Sequence, residues 1–464
     1  MHDERLLRRT ADLAIDFLAG IDERPVGAPA TRAELLASLG GPLADDPADP
    51  VDIIEGLAAH AGPGIIASPG PRFFGFVIGG VLPAALAGDW LTSTWDQNAG
   101  VYAAGPAASV VEEIVGEWLL DVLGLPAGSG FGLTTGCQMA HFTCLAAARH
   151  AVLERAGWDV ESRGLFGAPE IDVIVGEEAH VTLLTALQYL GLGADRVIAV
   201  PTDGQGRMRA DAFADLLPHG DRPLIVCLQA GNVNTGAFDP LAEIIGLVRA
   251  ERPGAWVHVD GAFGLWAAVS PGLRHLLAGH EEADSWATDA HKWLNVPQDS
   301  GVAIVRDAAT HRSAMSPLHA PYLIYGAAER DEFCWVPEFS RRARGFAIYA
   351  ALRSLGRDGV RAQVERSCAL ARRIAATLAA APGVRVLNDV ILDQVLVRFE
   401  PAGGGDPDAW THEVVRRVQD DGTCWLSGTT WHGLGAMRIS IINWSTTEAD
   451  IDRSAAAILR AAGG

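Results

Sequence analysis

Lysine is almost absent from this chain of 464 residues. Only one of its 36 basic side chains, Lys292, is a lysine, and all the others are arginines. Arginine replaces lysine wherever only a positive charge is needed, but a guanidinium group does not lose its proton under ordinary conditions. Chemistry that needs a neutral primary amine would therefore retain a lysine. Lys292 is a candidate for that role, and chance survival of one lysine is the alternative.

Positive charge as a whole is also scarce. The chain has 36 Lys and Arg residues against 57 Asp and Glu residues, which gives a net charge of −21. Nucleic acids and anionic membranes repel such a chain at long range, so neither is an expected partner. The longest apolar stretch, residues 77–88, is too short and too rich in Gly and Pro to span a bilayer. The start of the sequence lacks the apolar segment of a signal peptide, and we expect a cytoplasmic protein.

Cysteine pairs at metal-binding or redox spacing are absent. No C-x-x-C motif occurs, so the sequence predicts neither a metal site nor a disulfide framework. The six cysteines are Cys137, Cys144, Cys227, Cys334, Cys368 and Cys424. An apolar fraction of 49% and a charged fraction of 20% are typical of a globular protein, here with two or three lobes.

Short apolar runs dominate the segment between residues 130 and 306. These runs do not alternate with polar residues, and segments of helical periodicity separate them. The predicted strands lie at 171–176, 196–201, 223–229, 255–260 and 301–306, and the predicted helices at 138–156, 181–191, 209–217 and 240–251. This pattern indicates an α/β fold with a mostly parallel sheet that is covered on both faces. Ligands of such sheets bind at the carboxyl ends of the strands.

The two ends of the chain differ from this central segment. Residues 1–20 carry a helical apolar stripe, and a Pro/Ala/Gly/Asp-rich stretch to about residue 50 predicts an extended arm. A further helix is predicted at 107–123, before the central segment. Toward the C-terminus, an α+β lobe is predicted from helices at 343–381 and 408–420 and strands at 390–400 and 436–444. We predict an N-terminal helical arm (1–70), a large domain (71–345) and a small C-terminal domain (346–464).

Four features near the ends of the predicted strands could support catalysis. Asp260 ends a buried strand, where a carboxylate is costly unless a cation meets it, and a helix N-cap is the alternative reading. The small-residue turn at 133–148 leads into a helix whose free N–H groups favour an anion such as phosphate. His180 follows another strand, and Lys292 precedes one. An amine, a carboxylate, an anion-binding turn and a flat imidazole are together what pyridoxal phosphate requires.

The motifs around these residues resemble those of the group II pyridoxal-phosphate decarboxylases, the aromatic-amino-acid and glutamate decarboxylase family of fold type I. The pairing of HVDGAFG (258–264) with DAHKWLNVPQDSG (289–301) is specific to this resemblance. The other matching stretches follow in family order: PRFFGF (71–76), DWLTSTWDQNAGVYAAGP (89–106), the 133–148 turn, EEAH (177–180), AGNVNTGAFDPL (230–241), PEFSRRARGF (337–346) and GTTWHGLGAMRIS (428–440). The resemblance implies a seven-stranded, mostly parallel sheet in the large domain and pyridoxal 5'-phosphate as the cofactor.

The resemblance also implies three catalytic residues. Lys292 would hold the cofactor as a Schiff base. Asp260 would keep the ring nitrogen protonated, which makes the ring an electron sink. His180 would stack on the ring face and could pass on a proton later in the reaction.

Other residues would bind the cofactor without taking part in the chemistry. The implied contacts are Gly136, Cys137, Gln138 and His291 for the phosphate, Ala262 for the other ring face and Asn232 for the ring hydroxyl. This sequence departs from the family pattern at Asp289, where many relatives have Asn or another neutral group, and at Gln298 and Ser300, where an aromatic residue and a cysteine are more usual. We therefore assign no phosphate contact to Asp289.

Aromatic residues occupy the segments where the family builds its substrate pocket. They are Phe73, Phe76 and Tyr102, together with Tyr322, Tyr325 and Phe333 in or near the loop at about 318–335. Such rings suit an aromatic or large apolar substrate, although plain core packing is the commoner use of aromatic residues. Arg72 is the one basic residue that stands out near these segments, so an acidic substrate is less favoured.

The resulting hypothesis is a homodimeric decarboxylase that converts an L-amino acid with an aromatic or large apolar side chain to its amine, with the active site at the subunit interface. Two enzyme alternatives keep the cofactor and change the product: a decarboxylase that forms an aldehyde by oxidative deamination, and an aminotransferase. A binding protein that has lost the chemistry is a third alternative, against which Lys292, Asp260 and His180 argue. The proton donor decides between amine and aldehyde, and Tyr322, Tyr325 and His180 are its candidates, because Phe333 has no hydroxyl group.

Overall fold

The computed structural model of the chain describes residues 3–316 and 329–463. Its helices are α1 Glu4–Ala19, α2 Arg32–Leu39, α3 Pro50–Ala61, α4 Pro83–Trp95, α5 Pro106–Val122, α6 Cys137–Arg155, α7 Val160–Arg163, α8 Val181–Tyr189, α9 Ala210–Leu216, α10 Leu241–Glu251, α11 Ala308–Met315, α12 Gly345–Ala379, α13 Pro407–Asp421 and α14 Glu448–Gly463. Its strands are β1 Gly130–Thr134, β2 Asp172–Gly176, β3 Ile198–Val200, β4 Leu224–Gln229, β5 Trp256–Asp260, β6 Ser285–Asp289, β7 Gly301–Val305, β8 Val384–Val386, β9 Gln394–Phe399, β10 Ser427–Trp431 and β11 Leu434–Ser440.

Seven strands form one sheet in the order β1-β7-β6-β5-β4-β2-β3. The pairs β2/β3, β2/β4, β4/β5 and β5/β6 are parallel, whereas β7 runs antiparallel to both β1 and β6. The predicted α/β fold with a mostly parallel sheet is confirmed. Because only β7 is reversed, the carboxyl ends of the other six strands share one edge of the sheet.

Small side chains allow α6 to lie close against the sheet. Ala140, Cys144 and Ala147 of α6 are fully buried and belong to the same cluster as Ile225 of β4 and Trp256 of β5. Burial on both faces explains why β4 is apolar almost throughout, as expected for a strand of a covered parallel sheet.

By their internal contacts the residues form two compact units. The first contains the chain up to Ile78, Arg372–Leu387 and the chain from Leu396 onward, and the second contains Gly79–Ala371 and Asn388–Val395. The first unit includes most of a four-stranded sheet of order β10-β11-β9-β8, in which β8/β9 and β10/β11 are antiparallel pairs. The second unit contains the whole seven-stranded sheet. The division into 1–70, 71–345 and 346–464 stays a prediction.

The prediction of an extended arm up to residue 50 is wrong for part of that stretch. Helix α2 begins there, because Thr31 and Glu34 form a reciprocal capping box that satisfies the free N–H groups of its first turn. Within residues 3–316 and 329–463, no helix has both the length and the apolar character needed to cross a membrane.

Candidate active site

The predicted catalytic side chains follow strands of the large sheet at its carboxyl edge. Asp260 is the last residue of β5, and the segment that bears Lys292 begins at Asp289, the last residue of β6. His180 follows β2, and Gly136 follows β1. Since these four strands run in the same direction, their following loops meet at one edge, as expected for the ligand site of such a sheet.

Lys292 is held by its own backbone as well as by its amine. Its Nζ lies 3.0 Å from Oδ2 of Asp289 and 5.8 Å from the centre of the Phe263 ring. The backbone N–H and the side-chain amide of Asn295 both donate to the Lys292 carbonyl, at 3.1 and 3.2 Å. A Cβ added to Gly79 would come within 2.1 Å of that same carbonyl oxygen, so only glycine fits there. The lysine is therefore fixed in position before any ligand binds.

Asp289 contributes most to keeping Lys292 protonated. Burial is the largest single influence and would lower the pKa of this amine, but the charge and hydrogen bond of Asp289, together with Cys137 and Asp260, raise the pKa above its ordinary value. The amine is consequently held as an ammonium group in the protein described here.

Asp260 is a buried carboxylate with an unusually low pKa. Its side chain is 6% exposed, its Oδ1 accepts the N–H of Ala262 at 3.1 Å, and its Oδ2 lies 3.5 Å from Nε2 of His141. Burial would raise the pKa, but the His141 ring, with smaller contributions from His180 and the Ala262 N–H, holds it well below its usual range. Asp260 is therefore an anion that can attract a positively charged N–H group, as the prediction for this residue requires.

His180 and Asp260 line the same small cavity, together with Gln229. His180 is the N-cap of α8, and its Nδ1 accepts the N–H of Thr182 at 3.4 Å and lies 2.7 Å from the Thr182 hydroxyl. An Nδ1 that accepts from a backbone N–H leaves the proton of the neutral ring on Nε2.

The turn between β1 and α6 is suited to an anion. Gly136 is the N-cap of α6, and no side chain caps this end, so its first N–H groups are available. His291 accepts the N–H of Ser300 through Nδ1 at 3.2 Å, which leaves its Nε2 proton as a donor. The Ser300 hydroxyl is buried and finds no hydrogen-bond partner among the described residues. A buried polar atom without a partner is uncommon, and a phosphate group would satisfy this one.

These residues fit pyridoxal phosphate. Gly136 and its neighbours Cys137 and Gln138 begin the helix that would face the phosphate, and Ala262 lies beside Asp260. Asn232 is also near this edge, but its Oδ1 accepts from the N–H groups of Asn234 and Thr235, and its Nδ2 donates to Gln229. The specific contact predicted for each residue stays a prediction.

The predicted substrate residues are divided between the two units. Phe73 is 2% exposed and stacks on Trp425, with ring centres 5.1 Å apart, whereas Phe76 is 56% exposed; both belong to the first unit. Phe333 belongs to the second unit, where it is 3% exposed and stacks on Phe339. Tyr102 also belongs to the second unit, and its N–H donates to Asp331. Tyr322 and Tyr325 lie outside the described residues.

Sequence reasoning missed His141 and His258, which are both fully buried next to Asp260. The available signal was the alternation of polar residues in the buried strand WVHVD, and the spacing of four residues between Cys137 and His141 on a helix. Cys137, His141 and Asp260 also bring three possible metal-ligand atoms within 4.8 Å of one another. Burial and nearby carboxylates raise the pKa of the Cys137 thiol well above its usual range, and a neutral thiol is a poor ligand.

Residues 36–400 match the model of the pyridoxal-dependent decarboxylase conserved domain. An acidic amino acid decarboxylase of Bos taurus is 28% identical over 331 residues, which are 69% of this chain and 61% of that protein. The match thus spans less than two thirds of the bovine protein. Tryptophan decarboxylase 1 of Oryza sativa subsp. japonica is 26% identical over 469 residues, 94% of this chain and 88% of that protein.

Solved structures share the fold over nearly the whole chain. The crystal structure of Oryza sativa TDC with PLP and tryptamine superposes with a TM-score of 0.90 at 22% identity, covering 99% of this chain and 98% of that one. The crystal structure of mouse CSAD gives a TM-score of 0.91 at 23% identity, with the same coverage. These likenesses agree with the α/β fold described above.

Proposed function

The chain belongs to the family of pyridoxal-dependent decarboxylases, which are carboxy-lyases that act with pyridoxal phosphate, and from this premise we propose that it removes carbon dioxide from an L-amino acid with an aromatic or large apolar side chain. One observation supports the proposal most directly. The only lysine of the chain, the ionised Asp260 and an uncapped helix N-terminus all lie at one edge of one sheet.

Each group of the site has a part in this reaction. When bound, pyridoxal phosphate supplies an aldehyde that joins an amine and a ring that takes up the electron pair left by carbon dioxide. Lys292 supplies the amine that holds the aldehyde until substrate replaces it. Asp260 stabilises a proton on the ring nitrogen, and the first turn of α6 with His291 and Ser300 binds the phosphate. His180 can carry a proton on Nε2 and is a candidate to deliver it.

The contacts of Arg72 support an aromatic or large apolar substrate over an acidic one. An acidic side chain needs a cation that is available to bind it. Arg72 is 3% exposed and donates to the carbonyls of Asp22 and Thr423 at 2.7 and 2.8 Å, and it lies 3.4 Å from Asp450. Its guanidinium group is thus already used inside the first unit. The relatives include both an acidic amino acid decarboxylase and an aromatic one, so the side-chain class is ours to propose.

We also propose that the enzyme is a cytoplasmic homodimer with the active site at the subunit interface, as the resemblance implies. Analytical ultracentrifugation of the full chain at several concentrations measures its mass in solution and so tests whether it is a dimer. Mixing Lys292→Arg with Tyr322→Phe or Tyr325→Phe tests the shared site. If the partner subunit contributes that tyrosine, one site of each mixed dimer has both Lys292 and the tyrosine, and the wild-type product should be restored.

The decisive experiment is a product analysis. The purified chain is loaded with pyridoxal phosphate and given a panel of aromatic, apolar and acidic L-amino acids, with Lys292→Arg as the control. Carbon dioxide and an equal amount of amine from an aromatic or large apolar substrate support the proposal. Aldehyde with peroxide, keto acid, turnover only of acidic substrates, or no product above the control would each contradict it. Tyr322→Phe and Tyr325→Phe in the same assay identify the proton donor, since loss of the donor should shift the product toward aldehyde.

A further inference from the structure

A line of polar side chains extends from Asp260 into the interior of the second unit. Trp256, His258 and Asp260 alternate along β5 and therefore point to the same face of the sheet. Ser285 of the neighbouring strand β6 stands in register with His258. Helix α6 covers this face and contributes His141. All five side chains are at most 5% exposed as residues, so water does not reach them freely.

Short distances connect these five side chains in series. Nε1 of Trp256 donates to Oγ of Ser285 at 2.9 Å, and Oγ lies 2.9 Å from Nδ1 of His258. Nε2 of His258 lies 3.0 Å from Nδ1 of His141, and Nε2 of His141 lies 3.5 Å from Oδ2 of Asp260. The series is thus Trp256, Ser285, His258, His141 and Asp260, and we call it the indole-to-aspartate chain.

The two ends of the indole-to-aspartate chain have fixed hydrogen-bonding roles. The indole N–H of Trp256 can only donate, and an ionised carboxylate such as that of Asp260 can only accept. In one direction, the Ser285 hydroxyl accepts a hydrogen bond from Trp256 and donates one to Nδ1 of His258. Because Nδ1 then acts as an acceptor, the neutral His258 ring carries its proton on Nε2. It then donates to Nδ1 of His141, which places the proton of His141 on Nε2, facing Asp260.

The opposite direction leaves a conflict at one end. If His258 donated to Ser285, the proton of His141 would lie on Nδ1 and its Nε2 lone pair would face the carboxylate of Asp260. Only the thiol of Cys137, with Sγ 3.5 Å from that Nε2, could then offer it a proton. A thiol is a weak donor compared with an N–H group beside a carboxylate. The first direction therefore satisfies more of the buried groups.

We propose that Trp256, Ser285 and His258 are positioning residues that hold His141 as the Nε2–H tautomer, so that Asp260 always receives a hydrogen bond and stays ionised for the ring nitrogen of the cofactor. This inference rests on the use of Asp260 proposed above. Burial lowers the pKa of His258 to about 3, so this ring remains neutral and cannot disturb the direction near neutral pH.

The tautomers can be measured directly on the full chain labelled with ¹⁵N-histidine, with and without pyridoxal phosphate. His141 and His258 are assigned from the signals that disappear in His141→Asn and His258→Asn. The proposal expects both rings as Nε2–H tautomers at pH 7, whether or not the cofactor is present. Protons on Nδ1 in either ring would overturn it. Because this measurement does not need the cofactor, it succeeds or fails independently of the proposed function.

A second measurement tests the effect on the cofactor. The full chain is stripped of cofactor, and its Kd values are measured for pyridoxal phosphate and for the 1-deaza analogue, which has no ring nitrogen. Ser285→Ala interrupts the indole-to-aspartate chain, and it should reduce the preference for pyridoxal phosphate by roughly tenfold, the value of a hydrogen bond to a charged group. Ser285→Thr retains the hydroxyl group and should keep the preference.

Ser270→Ala is the matched control. Like Ser285, Ser270 is deeply buried in the second unit, but its hydroxyl donates to Glu365 at 2.7 Å and takes no part in the indole-to-aspartate chain. Loss of the Ser270 hydroxyl group should leave the ratio of the two Kd values unchanged even if both affinities fall. A ratio in Ser285→Ala within twofold of wild type would contradict the proposal, and if this variant does not fold, the tautomers of the wild-type chain still decide. Equal affinity of the wild type for both compounds would instead contradict the proposed role of Asp260.

Discussion

The amine of Lys292 lies 3.0 Å from a carboxylate oxygen of Asp289, three residues earlier in the chain. The other oxygen of Asp289 is buried and has no hydrogen-bond partner among the described residues. Asp289 therefore interacts chiefly with the cation next to it, and it gives the lysine a charged partner.

Asp289→Asn should move the pKa of Lys292 downward, because the amide keeps the shape of the side chain and removes the charge that now raises that pKa. Only the neutral amine attacks an aldehyde, so the pH profile for the rate of reaction with pyridoxal phosphate should move to lower pH. Stopped-flow absorbance between pH 6 and 10 measures this rate. Asp299→Asn is the control, since Asp299 pairs with Arg344 and not with Lys292. A profile that stays in place or moves to higher pH would refute the assigned role of Asp289.

Lys292→Arg should abolish covalent attachment of pyridoxal phosphate, because arginine keeps the charge but offers no amine that can lose its proton. Borohydride reduces the imine of an amine and an aldehyde to a stable secondary amine. With one lysine in the whole chain, digestion and mass spectrometry should find the label on a single peptide of wild type. Label retained by Lys292→Arg would mean that another amine, such as the N-terminus, holds the cofactor.

The fold was predictable because its central strands are buried on both faces. The run PLIVCLQ predicts a strand at 223–229, and β4 occupies Leu224–Gln229. Strand β6 was missed because its sequence, SWATD, has no apolar run, although every residue in it is buried. Ser285 is polar because its hydroxyl meets Trp256 and His258 of the neighbouring strand β5, which the sequence of β6 alone does not show. A long helix was predicted at 343–381, but the sequence did not show that Gly356 breaks the helical geometry of α12 with a positive φ of 61°.

The site was predictable where one residue type has one chemical use. A single lysine and a strand-end aspartate are such residues, and both lie at the expected edge of the sheet. Contacts between distant segments were not predictable. Nothing in the sequence of α6 shows that His141 meets His258, which is 117 residues away in the chain. The role of Phe73 was equally open, because a buried ring stacked on Trp425 and a substrate-binding ring look the same in sequence.

Asp393→Asn should stabilise the protein at neutral and alkaline pH. Asp393 is fully buried, and burial raises its pKa to about 7 in spite of opposing hydrogen bonds from the backbone, Trp293 and Gln394 and the charge of Lys292. The unfolded chain loses this proton near pH 4, so between about pH 4 and 7 the folded state binds more protons than the unfolded state. The free energy of unfolding should therefore fall as pH rises through this window, by about 1.4 kcal/mol for each unit of pKa difference and by a few kcal/mol at most.

The asparagine variant removes this contribution, so its Tm should depend less on pH between 5 and 8 than that of wild type. Asp389→Asn is the control, because Asp389 is 68% exposed and its pairing with Arg207 at 3.6 Å should contribute little. The prediction would be contradicted if Asp393→Asn lowered the Tm at pH 8 by as much as at pH 5. That result would mean that the protein needs the shape or the hydrogen bond of the carboxyl group, and that ionisation of Asp393 does not cause the pH dependence of the Tm.

Gly301→Ala should disrupt the turn that is proposed to bind the phosphate. Gly301 is the first residue of β7 and stands in register with Thr134 of β1, just before Gly136. A Cβ at position 301 would lie 2.5 Å from Cα and from the carbonyl carbon of Gly136, and backbone atoms so close must move apart. Overpacking of this kind costs about 1–3 kcal/mol, so the affinity for pyridoxal phosphate should fall roughly tenfold or more. Quenching of tryptophan fluorescence during titration gives the Kd.

Gly246→Ala in α10 is the matched control, because a Cβ there meets nothing within 4 Å and alanine favours the helix. If Gly301→Ala binds pyridoxal phosphate as tightly as Gly246→Ala does, the first turn of α6 does not hold the phosphate, and the anion site must be sought at another strand end.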